Sequence, residues 1–184
     1  MITNTTKKDK QYKKILEELK LLDDLDLLII LTLGPKKLRH TEVQKIAIIL
    51  SKLLGIKDID VEAYHYGGFS ETIMEKLQSK HLSDYFVKEN NHYRLTKKGL
   101  MAYHILLEKL KAKGLTDVIQ VLEALRELPS DDIVAIQYFL FPEYTHKSKI
   151  KGKVSMILRK YREKSKKIIE VKDLGEKKIV KIEA

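Results

Sequence analysis

The side chains in this 184-residue sequence most able to do chemistry together are cations. From Met1 to His146 there are 22 basic and 21 acidic residues, whereas Lys147 to Ala184 holds 14 basic and 5 acidic ones. Nearly all of the +10 formal charge therefore sits near the C-terminus, in 147–167. Lys147, Lys149, Lys151 and Lys153 are followed there by Arg159, Lys160, Arg162 and Lys164. A concentrated positive field favours a polyanionic partner. Laid along duplex DNA, such a segment would neutralise about five to eight phosphates, and binding would weaken by roughly 0.9 log units per contact per decade of salt. Three other readings fit the same charge: a solvated lysine-rich helix end, a nonspecific chromatin-like role, and a basic amphipathic helix lying on an anionic membrane. The last is disfavoured, because its apolar face is short and has neither Trp nor Phe.

A second group lies between Ser70 and Lys98. A helix opening at Ser70 would present Thr72, Glu75, Lys76 and Ser79 opposite its apolar side, flanked by Glu71 and Gln78. Thr72, Lys76, Gln78 and Ser79 are the candidates to touch base edges or backbone in a major groove. Glu71 and Glu75 would repel phosphates, although a glutamate can accept from cytosine N4. A short hairpin beyond it offers Lys88, His92 and Arg94, with Lys97 and Lys98 just behind. Such cations bind phosphates and so position a protein without reading sequence. The plain alternatives are a helix kept for protein contacts and an ordinary solvated hairpin.

Catalytic constellations are missing from the sequence. Leu33-Gly34-Pro35-Lys36-Lys37 lacks P-loop spacing. The histidines at 40, 65, 81, 92, 104 and 146 show no ligand spacing on one helix face. His81 and His104 read as core or boundary residues, and His65, between Tyr64 and Tyr66, as part of a packed turn. No nucleophile motif appears, and Asp131-Asp132 suits a helix N-terminus better than a metal pair. Cysteine is absent, which removes disulfides and thiolate sites and fits a reducing cytoplasm. No enzyme, cofactor or metal is expected. Abundant Lys, Glu and Ile with no Cys or Trp is a thermophile-like composition.

These groups need elements to position them. Residues 1–6 are expected to be disordered. A helix from about Lys7 carries an apolar stripe of Tyr12, Ile15, Leu19 and Leu22, able to pack on its own domain or on a second subunit. Asp23 and Asp24 cap a helix that stops at Gly34-Pro35. Thr41 with Gln44 has capping-box spacing for the next helix, which Gly55 closes. A connector, Ile56 to Phe69, turns at Gly67-Gly68. Ser70 caps a third helix to about Leu82, with Ile73, Met74, Leu77 and His81 on one side. Strands at Tyr85–Lys88 and His92–Leu95 flank an Asn90-Asn91 turn. Thr96 caps a helix with Leu100, Tyr103, His104, Leu107 and Leu110 inward. Thr116 and Ser130 cap two more, ended by Pro129 and Pro142. A last helix spans about Lys149 to Lys167, with Ile150, Val154, Ile157, Leu158 and Tyr161 on one side. A small hairpin is centred on Asp173-Leu174-Gly175-Glu176.

The order helix, helix, helix, hairpin, helix, together with Tyr93-Arg94-Leu95-Thr96-Lys97-Lys98-Gly99, resembles the winged helix-turn-helix superfamily of regulators, including the MarR-like and PadR-like families. Their Tyr-Arg-Leu-Thr-x-x-Gly signature closes the second wing strand and opens the next helix. The likeness covers about half the chain and implies a third helix in the major groove beside a wing. Gln44-Lys45-Ile46 followed by Tyr66-Gly67-Gly68-Phe69-Ser70 is similar to the Panacea type of antitoxin domain, in which a Gln-Lys helix precedes a Tyr-Gly-Pro-x-Ser turn. Gly68 stands where that pattern prefers proline.

The expectation is a mainly α protein with a small β wing. An N-terminal helical arm (1–22) precedes a winged helix-turn-helix domain (23–113), a helical extension (114–146), and a basic helix with a short β-hairpin (147–184). The expected function is DNA binding, as a cytoplasmic transcriptional regulator whose wing and basic helix engage duplex DNA. A homodimer is expected from family resemblance and from apolar stripes, including the aromatic group Tyr138, Phe139, Phe141 and Tyr144. No membrane partner is expected. The alternative is a protein-interaction module, antitoxin-like or a subunit of a complex, with a protein partner and no direct DNA reading.

Overall fold

The computed structural model describes residues 7–57, 59–164, 171–174 and 177–180, with side chains described for 9–57 and 59–161. Residues 1–6, the end of the basic run at 165–167 and the turn Gly175-Glu176 lie outside the described residues. Mainly helical, the fold carries small antiparallel sheets. Its helices are α1 (Lys7–Glu18), α2 (Asp24–Leu33), α3 (His40–Leu54), α4 (Glu71–Gln78), α5 (Lys97–Ala112), α6 (Thr116–Glu127), α7 (Ser130–Leu140) and α8 (Lys151–Lys164). Short strands intervene: β1 (Leu38–Arg39), β2 (Glu62–Tyr64), β3 (Gly67–Phe69), β4 (Phe86–Glu89), β5 (His92–Leu95), β6 (Val171–Leu174) and β7 (Lys177–Val180). They pair as a sheet of order β1-β5-β4 and as the hairpins β2-β3 and β6-β7.

Helices α2 and α3 form the centre. Every residue of α3 from Val43 to Ser51 is buried, as is all of α2 from Leu25 to Leu33 except Leu27. A helix buried on all sides must be surrounded, and α3 is, by α2, α4, α6, α7, β1 and β3. One apolar cluster runs from Ile15 and Leu19 of the N-terminal segment to Ile133 of α7. The N-terminal segment therefore packs on its own chain. Tyr12 donates to Glu108 of α5 at 3.0 Å, and Lys98 pairs with Glu18 at 2.8 Å.

Local chemistry fixes the helix ends. Asp23 accepts from the Asp26 N–H at 2.8 Å, and the Asp26 carboxylate accepts from the Asp23 N–H, a reciprocal capping box. Ser70 and Thr96 cap α4 and α5 by accepting from the Ile73 and Gly99 N–H groups. The sequence Thr96-x-x-Gly99 has a second cause. The Tyr85 carbonyl accepts from the Thr96 N–H at 2.9 Å, and a Cβ at Gly99 would fall 1.8 Å from that same oxygen. Only glycine lets the strand enter here.

α6 is tied to α2 by a buried arginine. Arg126 donates from Nε to the Thr32 carbonyl at 3.0 Å, from Nη2 to the Leu31 carbonyl, and from Nη1 to the Tyr103 hydroxyl at 2.9 Å. These are last-turn carbonyls of α2, which no backbone N–H of the helix satisfies.

Several expectations are corrected. α3 starts at His40, and its N-terminal bond is Glu42 accepting from the Arg39 N–H at 2.7 Å; Gln44 is buried elsewhere. The connector contains a hairpin, β2-β3, and Leu38–Arg39 adds a strand to the sheet. Thr116 and Ser130 are the first residues of their helices, preceded by Leu115 and Pro129 at the cap positions. The third helix ends at Gln78, because Ser79 turns extended before a 3₁₀ turn at Lys80–Leu82. His104 points outward, since α5 buries Ala102, Tyr103, Ile105 and Leu106 instead. His81 is likewise exposed, with its ring against the Asp26 carboxylate at 3.0 Å.

Arg126→Ala leaves two buried carbonyls and a tyrosine hydroxyl without donors, at about 1–3 kcal/mol for each group left unsatisfied. Urea unfolding should show a loss of about 3 kcal/mol or more. Arg126→Lys should restore only part of it, because an ammonium lacks the planar fork. A loss below about 1 kcal/mol for the alanine variant would overturn this account.

Candidate nucleic-acid interface

Ile73 and Leu77 bury one side of α4, which turns the other side outward. That outer side is poorly equipped for phosphate. Lys76, the only cation of α4, lies between two carboxylates of α2, bonded to Asp23 and 2.8 Å from Asp26. Burial lowers its pKa, but the hydrogen bonds to Asp23 and Asp26 outweigh burial, so the ammonium is held more firmly charged than usual. Thr72 donates to Asp60, and Ser79 is bonded to His81 at 2.5 Å. Gln78 is exposed, as are Glu71 and Glu75.

The sheet β1-β5-β4 presents a different surface. Leu38, Tyr93 and Leu95 face the core, so Arg39, His92 and Arg94 alternate outward. The register sets Arg39 opposite His92, and His92 opposite Glu89. Glu89 is gripped by Arg94 at 2.5 Å and Lys37 at 2.9 Å, and their hydrogen bonds, Arg94's first, lower its pKa to about 2. Lys88 stands over the Tyr93 ring at 5.8 Å, and Lys97 is exposed at the start of α5. Cations on and beside the sheet (Lys37, Arg39, Lys88, Arg94, Lys97) outnumber the carboxylates Glu89 and Glu42. Lys37 and Arg39 were invisible as site residues, because they lie beside and in a two-residue strand that carries no periodicity to read.

α8 and the segment entering it supply the remaining candidates. Val154 is buried against Val134, Ala135 and Tyr138, with Ile150, Ile157 and Leu158 packed around them. Its apolar side is thus covered within the chain. Lys147, Lys149, Lys151, Lys153, Arg159 and Lys160 are exposed; the side chains of Arg162 and Lys164 lie outside the described residues. Lys153 pairs with Asp131 at 2.6 Å, and Tyr161 donates to Asp132 at 2.5 Å. Both acids sit in the first turn of α7. Beside them Ser130 donates to Glu42, which accepts from the backbone N–H of Arg39. α8 and β1 are therefore linked through one end of α7.

A further polar group sits inside the fold. The Gln44 amide bonds Ser70 twice, donating to its carbonyl at 3.0 Å and accepting from its N–H at 3.2 Å. Lys45, only 6% exposed, donates to the Gly68 carbonyl, and the Gly68 N–H donates to Gln137 of α7 at 3.0 Å. Gly67 has φ +98°, and a Cβ there would lie 2.6 Å from Gln137 Oε1. A proline at position 68 would remove the N–H that Gln137 accepts from, a physical reason for glycine here. Sequence reading paired these two segments by resemblance; Gln137, far along the chain, gave no signal.

No family model, curated protein or solved structure matches this chain.

Burial lowers Lys45 to a pKa of about 8, below the roughly 10.4 of a free lysine. Between those values the unfolded chain binds more protons than the folded one, so this residue makes stability rise with pH across that window. The stability of the native chain relative to Lys45→Met should therefore increase from pH 8 to 10, by up to about 3 kcal/mol. Urea midpoints at several pH values check this, and a flat difference would show that Lys45 titrates normally.

Proposed function

We propose that residues 23–113 form a winged helix-turn-helix and that the protein binds duplex DNA as a regulator, using its basic sheet and basic C-terminal helix rather than its third helix. The arrangement that carries the reading is the sheet order β1-β5-β4. A strand between the first two helices pairs with the second hairpin strand, as a wing root does, and turns Arg39, His92 and Arg94 outward. Phosphates are the targets such cations suit, and phosphate contacts position a protein on a duplex. The exposed cations of α8 add affinity without base reading. Lys76 contributes little, since two carboxylates already hold it.

A second reading keeps the winged helix and replaces DNA with a protein partner. It is favoured by the outer side of α4, where Glu71 and Glu75 are exposed and Lys76 is neutralised. The contact of Gln44 and Lys45 with the Gly68–Ser70 segment also supports likeness to the Panacea pattern. A stoichiometric protein partner that copurifies without nucleic acid would favour it.

Fluorescence anisotropy with a mixed-sequence duplex at several salt concentrations separates the two. Affinity should fall steeply with salt, and Arg39→Ala combined with Lys88→Ala should reduce the log–log slope by about 0.9 for each phosphate contact removed. Lys76→Ala should leave the slope unchanged. A folded chain that ignores duplex, or binds it with no salt dependence, would defeat the DNA reading.

A further inference from the structure

The β2-β3 hairpin carries aromatic side chains that the core does not use. Tyr64 is 53% exposed and Tyr66 58% exposed, on either side of the turn residue His65. They are not loose. Tyr64 is backed by the His65 ring at 4.9 Å and the Phe69 ring at 5.7 Å, between centroids. The strand beneath is fixed by the bonds from Lys45 and Gln137 to Gly68. The two exposed tyrosines thus ride on a braced hairpin, with the Tyr64 ring itself held by its neighbours.

The neighbour of this platform is the start of the basic segment. The Lys149 N–H donates to the His65 carbonyl at 3.0 Å, which docks the chain entering α8 on the hairpin turn. Lys147, Lys149 and Lys151 are exposed there. Glu62, on the same face of β2 as Tyr64, and Glu143, in the 3₁₀ turn Pro142–Thr145 packed on β2, are acids of that region, and the three lysines outnumber them. Aromatic faces beside a run of cations match a strand of unpaired nucleotides, whose bases stack on the rings while phosphates meet the ammonium groups. A duplex hides its base faces and has no use for the tyrosines. An acidic peptide would use the lysines but offers few flat rings to stack.

We propose that Tyr64 and Tyr66, with Lys147, Lys149 and Lys151, form a binding site for single-stranded nucleic acid; it uses the start of the basic segment, while the sheet cations and the rest of α8 remain for duplex. Selectivity for sequence should be low, because every base has a stacking face.

The test uses the full chain and fluorescein-labelled strands of equal length: a mixed-sequence single strand, an abasic strand with the same phosphates, and a duplex. The single strand should bind at least ten-fold more tightly than the abasic one. Tyr64→Ala with Tyr66→Ala should erase that difference and leave duplex affinity within two-fold, while the paired Phe substitutions should keep it. Equal binding of normal and abasic strands by the native chain would overturn the proposal without any variant. So would an alanine variant that retains the preference. Loss of duplex binding alone would count against the duplex reading and leave this site standing.

Discussion

The interaction on which the rest depends is the burial of α3 on every side. A surrounded helix gains from a partner for each of its polar side chains, because an unpaired buried polar group costs more than a made hydrogen bond returns. Gln44 and Lys45 are the polar residues in the first half of that buried stretch, and both are satisfied by one backbone segment, Gly68 to Ser70. Two consequences follow. If the β2-β3 hairpin moves off α3, the Gln44 amide and the Lys45 ammonium lose these partners. α4, whose N-cap is Ser70, begins where that hairpin ends, so the clamp also sets where the helix starts. α7 completes the arrangement through Gln137, which ties the hairpin from its other side.

Charge placement follows from the same packing. α4 and the sheet both present polar faces, yet their cations differ in availability. Exposed ion pairs add little to stability, about 0–1 kcal/mol, but they decide which charges remain for a partner. Lys76 is flanked by Asp23 and Asp26, the acids that cap α2, so the capping box that starts one helix also neutralises the one cation of another. On the sheet, Lys37 and Arg94 share a single carboxylate, Glu89, and the surplus stays positive.

Caps were legible in the sequence because their chemistry is local. Asp23, Ser70 and Thr96 each act within three residues of themselves. Strands β4 and β5 were legible for the same reason, with an Asn90-Asn91 turn in which Asn90 takes φ 54°. What escaped was of two kinds. The strands β1, β2 and β3 are each two or three residues long, too short for alternation to show. Arg126 bonds Thr32, Gln137 bonds Gly68 and Glu42 bonds Ser130, partners 94, 69 and 88 residues away, and no spacing rule reaches that far. The face of α5 was misjudged at His104 because the helix is crowded by α1 as well as α2, which broadens and rotates the stripe it must bury. Of the candidate site, the basic segment and hairpin cations were readable as composition. Which of them are already spent on carboxylates was not.

The basic segment shows why docking and charge need not conflict. A helix as cationic as α8 would be expected to stay in water, yet its Val154 side is packed on α7. Acids at the start of α7 favour the positive end of that helix's dipole, and here they also meet Lys153 and the Tyr161 hydroxyl of α8. Asp131 and Asp132 thus serve two helices at once, and they anchor α8 at the cost of pairing one lysine. The chain entering α8 is fixed independently, by the Lys149 N–H on the His65 carbonyl. Held at both places, the helix has a fixed azimuth, and its remaining cations point away from the core as a set. A tethered lysine-rich tail would carry the same charge but could not present it in register with the sheet or the hairpin.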